Sequence, residues 1–353
     1  MKKHNFSAGP AILPQEVLKK ASEAVIDFNG LGLSLIEISH RSKDFIAVMD
    51  KAQALAKELL ELPEGYSVLF VQGGASTEFL MAPYNLLKEG GKAAYLDTGA
   101  WSSKAIKEAK NFGETVVIAS SKDKGYNYIP KDYEVPADAD YVHFTSNNTI
   151  FGTQLKDFPT GEVLKVVDMS SDIFSRKLDY SQFDVVYAGA QKNIGPAGTT
   201  IVIVKDEVFA RSGRNIPSML DYSVHAKAGS MFNTPPVFAV YVSMLSLEWL
   251  KAKGGVEAIE KLNIEKANLL YDEIDNNPAF NGFAAKEDRS NMNVTFTLAD
   301  ETQKEKFDAL AVAAGISGIN GHRSVGGYRA SIYNAMPIES VQVLVDTMKK
   351  LNK

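Results

Sequence analysis

One lysine stands out by its setting. The short apolar run Asp184–Ala188 leads through Gly189, Ala190 and Gln191 to Lys192, and a Gly195-Pro196-Ala197-Gly198 loop follows. A lysine at the carboxyl end of a buried strand loses solvation, lowers its pKa and attacks a carbonyl as the neutral amine. Upstream, the run Val163–Val167 ends in Asp168. In a parallel sheet both strand ends face one crevice, so Asp168 and Lys192 are placed to meet one ligand. One would form a Schiff base and the other would pair with a ring nitrogen, which describes a pyridoxal phosphate site. The plain alternative is a surface lysine and a helix-capping aspartate.

A second segment, Val71-Gln72-Gly73-Gly74-Ala75-Ser76-Thr77-Glu78, reads as strand, glycine turn and helix start. Such a turn presents free backbone N–H groups and a positive helix end to an anion, or else is an ordinary capped turn. Other nucleotide and hydrolase signatures fail. Gly30-Leu31-Gly32 lacks a third glycine and follows a helix, and Gly91-Lys92 has no P-loop glycine before it. HExxH, Gly-x-Ser-x-Gly and DxDxDG are absent. Of 38 basic residues only seven are arginine, the side chain whose planar fork suits carboxylate and phosphate. Two of them recur in one tripeptide, His40-Arg41-Ser42 and His322-Arg323-Ser324.

The elements that must carry these residues follow from periodicity. Helical spacing marks Pro14–Phe28, Ser42–Leu62 and Ser102–Asn111, and a helix opens at Ala75–Thr77. Short apolar runs at Ser67–Val71, Lys92–Leu96, Thr115–Ala119, Tyr141–Phe144, Val163–Val167, Asp184–Ala188 and Thr199–Val204 read as strands. Their alternation with helices predicts a large α/β/α domain around a mainly parallel sheet. After Pro235-Pro236 a long helix reaches Lys253, and Gly254-Gly255 mark a boundary. Helices at Val256–Asp275, Thr302–Ala314 and after Pro337, with strands at Asn291–Leu298 and Tyr328–Tyr333, predict a small C-terminal α+β domain. The expected division is a segment 1–14 associated with the small domain, a large domain 15–254 and a small domain 255–353.

Composition narrows the classes. With 353 residues and 45% apolar content the chain has enough material for a sizeable core. It has no cysteine, so disulfides, thiolate metal sites and a cysteine nucleophile are excluded. A net charge of −5 argues against a nucleic-acid scaffold. The start shows no export signal and no apolar stretch is long enough to span a bilayer, so a cytoplasmic protein is expected.

The whole chain resembles the phosphoserine aminotransferases, class V aminotransferases of the fold type I pyridoxal-phosphate enzymes. The matching segments are Asn5–Ala11, Ser39–Ser42, Thr98–Ser102, Tyr187–Gly198, Met231–Pro236 and Gly321–Ser331, in the family's order. The resemblance implies that Lys192 holds pyridoxal 5′-phosphate and moves the α-proton, and that Asp168 pairs with the pyridine nitrogen. It implies that Trp101 stacks on the ring, that Ala75, Ser76 and Gln191 surround the cofactor phosphate, and that Thr149 contacts the cofactor. Asn233 and Thr234 would reach that phosphate from the partner subunit of a homodimer. Arg329 would take the α-carboxylate, while His40, Arg41, His322 and Arg323 would hold the distal anion, the first pair coming from the partner subunit.

The implied activity is conversion of 3-phosphohydroxypyruvate and L-glutamate to O-phospho-L-serine and 2-oxoglutarate in serine biosynthesis, extending to the phosphohydroxythreonine pair of vitamin B6 synthesis. Both substrates carry an anion at each end, which suits guanidinium and imidazole donors. An alanine–glyoxylate type of aminotransferase would waste the two His-Arg pairs, and a cysteine desulfurase would need a cysteine. A non-catalytic relative predicts decay at Lys192 or Asp168, whose contexts are intact. One departure is Ser76, where many family members carry an arginine. His4, His143 and His225 have no comparable setting and are expected to be structural.

Overall fold

The computed structural model describes residues 3–323 and 325–351. Ser324, part of the second His-Arg-Ser tripeptide, lies outside the described residues. A two-residue strand β1 (His4–Asn5) is followed by α1 (Gln15–Ile26) and α2 (Lys43–Leu59). The sheet then begins with β2 (Tyr66–Val71), α3 (Gly74–Leu86), β3 (Lys92–Asp97), α4 (Ala100–Ala109), β4 (Glu114–Ser120) and β5 (Tyr141–Thr145). A small hairpin, β6 (Asn147–Asn148) and β7 (Thr153–Gln154), precedes β8 (Leu164–Asp168), β9 (Val185–Gly189) and β10 (Thr200–Lys205). Helices α5 (Tyr222–Lys227), α6 (Val237–Ala252) and α7 (Gly255–Asn276) lead into β11 (Phe280–Gly282) and β12 (Asn293–Leu298). The chain closes with α8 (Lys304–Ala313), β13 (Ile316–Ser317), β14 (Tyr328–Ser331) and α9 (Ile338–Lys350).

Seven strands form the main sheet in the order β2-β10-β9-β8-β5-β3-β4. All neighbours are parallel except β10, which runs against both β2 and β9. Central strands such as β5 and β9 are buried throughout, the mark of a sheet covered on both faces. One face packs Val142, Phe144, Val167 and Val186 against residues of α1, α2 and α6. The other packs Tyr95, Tyr141, Val166 and Tyr187 against residues of α3 and α4. Each fully buried side chain of this size contributes on the order of 2 kcal/mol.

A separate core gathers residues of α7, α8 and α9 on the antiparallel sheet β11-β12-β14. Phe6 and Ile12 belong to it, and β1 pairs in parallel with β13. The strand expected over Tyr328–Tyr333 stops at Ser331, because the carbonyls of Ile332 and Tyr333 accept from Lys266 Nζ instead of a neighbouring strand. The helix expected from Thr302 opens as a single tight turn, Glu301–Gln303, before α8. Among the described residues no helix is long and apolar enough to cross a membrane.

Candidate active site

Parallel strands deliver loops to one edge of the sheet. β8 ends at Asp168, β9 leads to Lys192, β5 leads to Thr149, β3 leads to Trp101, and β2 leads to Gly73. The topology therefore gathers residues far apart in sequence into one crevice.

Lys192 Nζ donates to Thr149 Oγ1 at 3.3 Å and lies 5.7 Å from the centre of the Trp101 ring. Burial lowers its pKa, and the Asp168 carboxylate opposes that shift. Asp168 is buried, which raises its pKa, while Lys192 and a hydrogen bond from Ser170 pull it back down. Its Oδ1 accepts from the Ser170 backbone N–H at 2.9 Å. A buried amine facing a buried carboxylate, beside an indole, suits a planar aromatic cofactor that needs a Schiff-base lysine and an anionic partner for its ring nitrogen.

The phosphate end is equally open. Gly73 occupies the N-cap position of α3 with φ of 101°, and no side chain caps that helix. The first-turn N–H groups, with the positive end of the helix dipole, are available to an anion. Ala75 is half-buried and Ser76 is exposed. Gln191 is half-buried, and its backbone carbonyl accepts from Ala11 N–H at 2.9 Å. Gly9 approaches so closely that a Cβ there would meet Lys192 Cγ at 3.4 Å.

A cluster of cations completes this side. Arg329, on β14, donates from Nη1 to the Thr149 carbonyl at 3.5 Å, and its buried Nε has no hydrogen-bond partner. No carboxylate pairs with it among the described residues. The pKa of His322 is lowered by burial, then by the charges of Arg329, Arg323 and Lys104. Lys104 also sits 4.4 Å over the Trp101 ring.

The other expected residues have surroundings of their own. His40 is half-buried with an unpartnered Nε2, and Arg41 is exposed at the turn before α2. Their backbone is fixed by Ser39 Oγ accepting from Arg41 N–H and by Ser42 capping α2. Thr234 offers its carbonyl to Gln72 Nε2 of the same chain at 2.8 Å, with Asn233 beside it. Three further features escaped residue-by-residue reading: Lys104, Ser170 and the close approach of Gly9. Lys104 was accessible in principle, because it follows Trp101 by three positions on a helix. His143 is buried and stacked between Tyr95 and Tyr187, and burial lowers its pKa to about 3. His4 pairs with Ser340 Oγ, and His225 with the Met219 carbonyl.

The model of the class V aminotransferases matches residues 3–344. A phosphoserine aminotransferase of Flavobacterium johnsoniae is 70% identical over 352 residues, covering 99% of each chain. Its counterpart in Bacteroides fragilis is 58% identical, covering 100% of this chain and 99% of that one. The solved phosphoserine aminotransferase of Bacillus circulans subsp. alkalophilus superposes with a TM-score of 0.96 at 48% identity, covering 99% and 98% of the two chains. The pyridoxal-phosphate-bound enzyme of Trichomonas vaginalis does so with a TM-score of 0.91 at 35% identity, covering 99% and 100%. With sequence and fold matched from end to end around a site that fits the cofactor, the chain belongs to the phosphoserine aminotransferase family of class V aminotransferases and is a pyridoxal 5′-phosphate-dependent transaminase.

Proposed function

We propose that the protein transfers the amino group of L-glutamate to 3-phosphohydroxypyruvate, giving O-phospho-L-serine and 2-oxoglutarate, and that the same site takes the phosphohydroxythreonine pair. The observation that carries this reading is the cluster of Arg329, His322, Arg323 and Lys104 at the rim of the Lys192 crevice. Four basic groups held together in a chain of net charge −5 are a local device for a substrate with two anionic ends.

When bound, pyridoxal phosphate supplies the electron sink that makes the α-proton of an amino acid acidic. The protein's own residues do the rest. Arg329 binds the α-carboxylate through its planar fork, and His322 with Arg323 holds the distal phosphate or carboxylate. Lys192 Nζ, its basicity reduced by burial, removes the α-proton and returns it on the other side of the exchange. Asp168 would hold a negative charge against the cofactor's ring nitrogen, and Trp101 would cover the ring and exclude water. Ala75, Ser76 and Gln191 would hold the cofactor phosphate, while Thr149 accepts from Lys192 Nζ and orients it.

In this reading His40, Arg41, Asn233 and Thr234 act across a homodimer interface. Residues 15–254 and 255–353 form two domains, with residues 1–14 joined to the second, and the enzyme acts in the cytoplasm. The test is direct. Purified protein should be yellow, glutamate should bleach that band, and steady-state rates with glutamate and each phosphorylated keto acid should rank the substrates. Arg323→Ala should raise KM for phosphohydroxypyruvate more than for an unphosphorylated analogue. Equal losses on the two would refute the assignment of the phosphate end.

A further inference from the structure

The seam between the two cores is unusually polar beside the catalytic lysine. Asn193, the residue after Lys192, donates from Nδ2 to the Ser171 carbonyl at 3.2 Å. Its Oδ1 accepts from the Asn334 backbone N–H at 3.0 Å. Ser171 lies three residues beyond Asp168, and Asn334 lies five residues beyond Arg329. One amide therefore touches the continuations of all three elements that carry the proposed chemistry.

A second bridge runs alongside. Asn147 Nδ2 donates to Ser171 Oγ and to Asn293 Oδ1, both at 2.7 Å. Asn293 Nδ2 in turn donates to Ser331 Oγ at 2.9 Å, two residues from Arg329. Asn147, Ser171, Asn293 and Ser331 are all buried. Buried amides with both ends satisfied fix a geometry, whereas apolar contacts at the same seam would allow sliding. Without Asn193, a carbonyl on the Asp168 turn and an N–H on the Arg329 continuation would both lose their partner.

We propose that Asn193 is a positioning residue, which sets the spacing between Lys192 and the carboxylate-binding Arg329 across the seam. This rests on the reading of Arg329 as the α-carboxylate site. A rigid bridge at this point matters because a misplacement of about 1 Å can cost about a hundredfold in rate.

The test compares holoenzymes of wild type, Asn193→Ala and Asn85→Ala. Asn85 is a buried amide on α3 that donates to the Met81 and Leu220 carbonyls, so it controls for the loss of a buried amide. Asn193→Ala should raise KM for glutamate about tenfold with a smaller fall in kcat, the cost of two unpaired groups at the carboxylate end. Amide exchange at Asn334 should accelerate in the same variant, with or without cofactor. Asn85→Ala should lower the melting temperature without either change. If Asn193→Ala fails to accumulate as folded protein, Asn193→Ser is used, being too short to span both partners, and the same outcomes apply. Glutamate KM and Asn334 exchange indistinguishable from the Asn85→Ala control would overturn the proposal. A wild type unable to use glutamate would instead defeat the functional reading, while the exchange measurement would still report on the bridge.

Discussion

Lys266 offers a sharp test of how the structure is held. It lies on α7 with no exposed surface, and its ammonium donates to the Ile332 and Tyr333 carbonyls at 2.9 and 2.7 Å. No carboxylate is paired with it among the described residues. Burial lowers its pKa to about 7. In the unfolded chain the same amine titrates at about 10.4. Between those two values the unfolded state binds one more proton than the native state, so raising the pH favours the native state. Below the folded value both states hold the proton, and the difference levels off.

The size follows from the same numbers. From about pH 7 to about pH 9 the native state should gain about 2 kcal/mol from this one group. Lys266→Met removes the titration and nearly matches the volume. Its absolute stability combines two unpaired carbonyls with relief from a buried charge, so the pH dependence is the decisive quantity. Urea unfolding of both holoenzymes at the two pH values gives it, because every other titrating group cancels in the difference. Wild type should gain about 2 kcal/mol on the variant as the pH rises. Parallel curves, or a wild type that loses ground, would refute a buried amine of depressed basicity.

Three other outcomes test the site. Arg329→Lys keeps the charge but loses the fork, so KM for both glutamate and phosphoserine should rise about tenfold or more in steady-state assays. Lys104→Met removes one of the charges that depress His322, so the His322 ring should titrate at higher pH by NMR. Gly73→Ala places a Cβ at φ of 101° against the Thr77 side chain, and should cost at least about 1 kcal/mol of stability. The same variant should weaken cofactor binding in a fluorescence titration, since that turn presents first-turn N–H groups that no side chain caps.

The elements around the site were legible because their signals are local. Buried strands such as Tyr141–Thr145 and Val185–Gly189 are short apolar runs, and α1 and α2 carry clear helical periodicity. The antiparallel course of β10 was not legible, since an apolar run bears no direction. The pairing of β1 with β13 is two residues long and joins segments some 300 residues apart, beyond any local pattern. The end of β14 at Ser331 depends on a lysine from α7 taking the next two carbonyls. Lys192 and Asp168 were readable from strand ends, while the amides that bridge the seam look like ordinary loop residues until the two cores meet.

The electrostatics of the site explain why net charge was a poor guide. Arg329, Arg323 and Lys104 each oppose protonation of His322, so the crevice holds unfavourable charge–charge contacts. Arg329 is desolvated as well, and its Nε has no partner. A folded core optimised for stability alone would place a carboxylate there. Leaving the position open makes it a place for an anion, which the Arg329 fork can hold. An anion bound there would offset the desolvation of Arg329, whereas a ligand without one would leave it uncompensated.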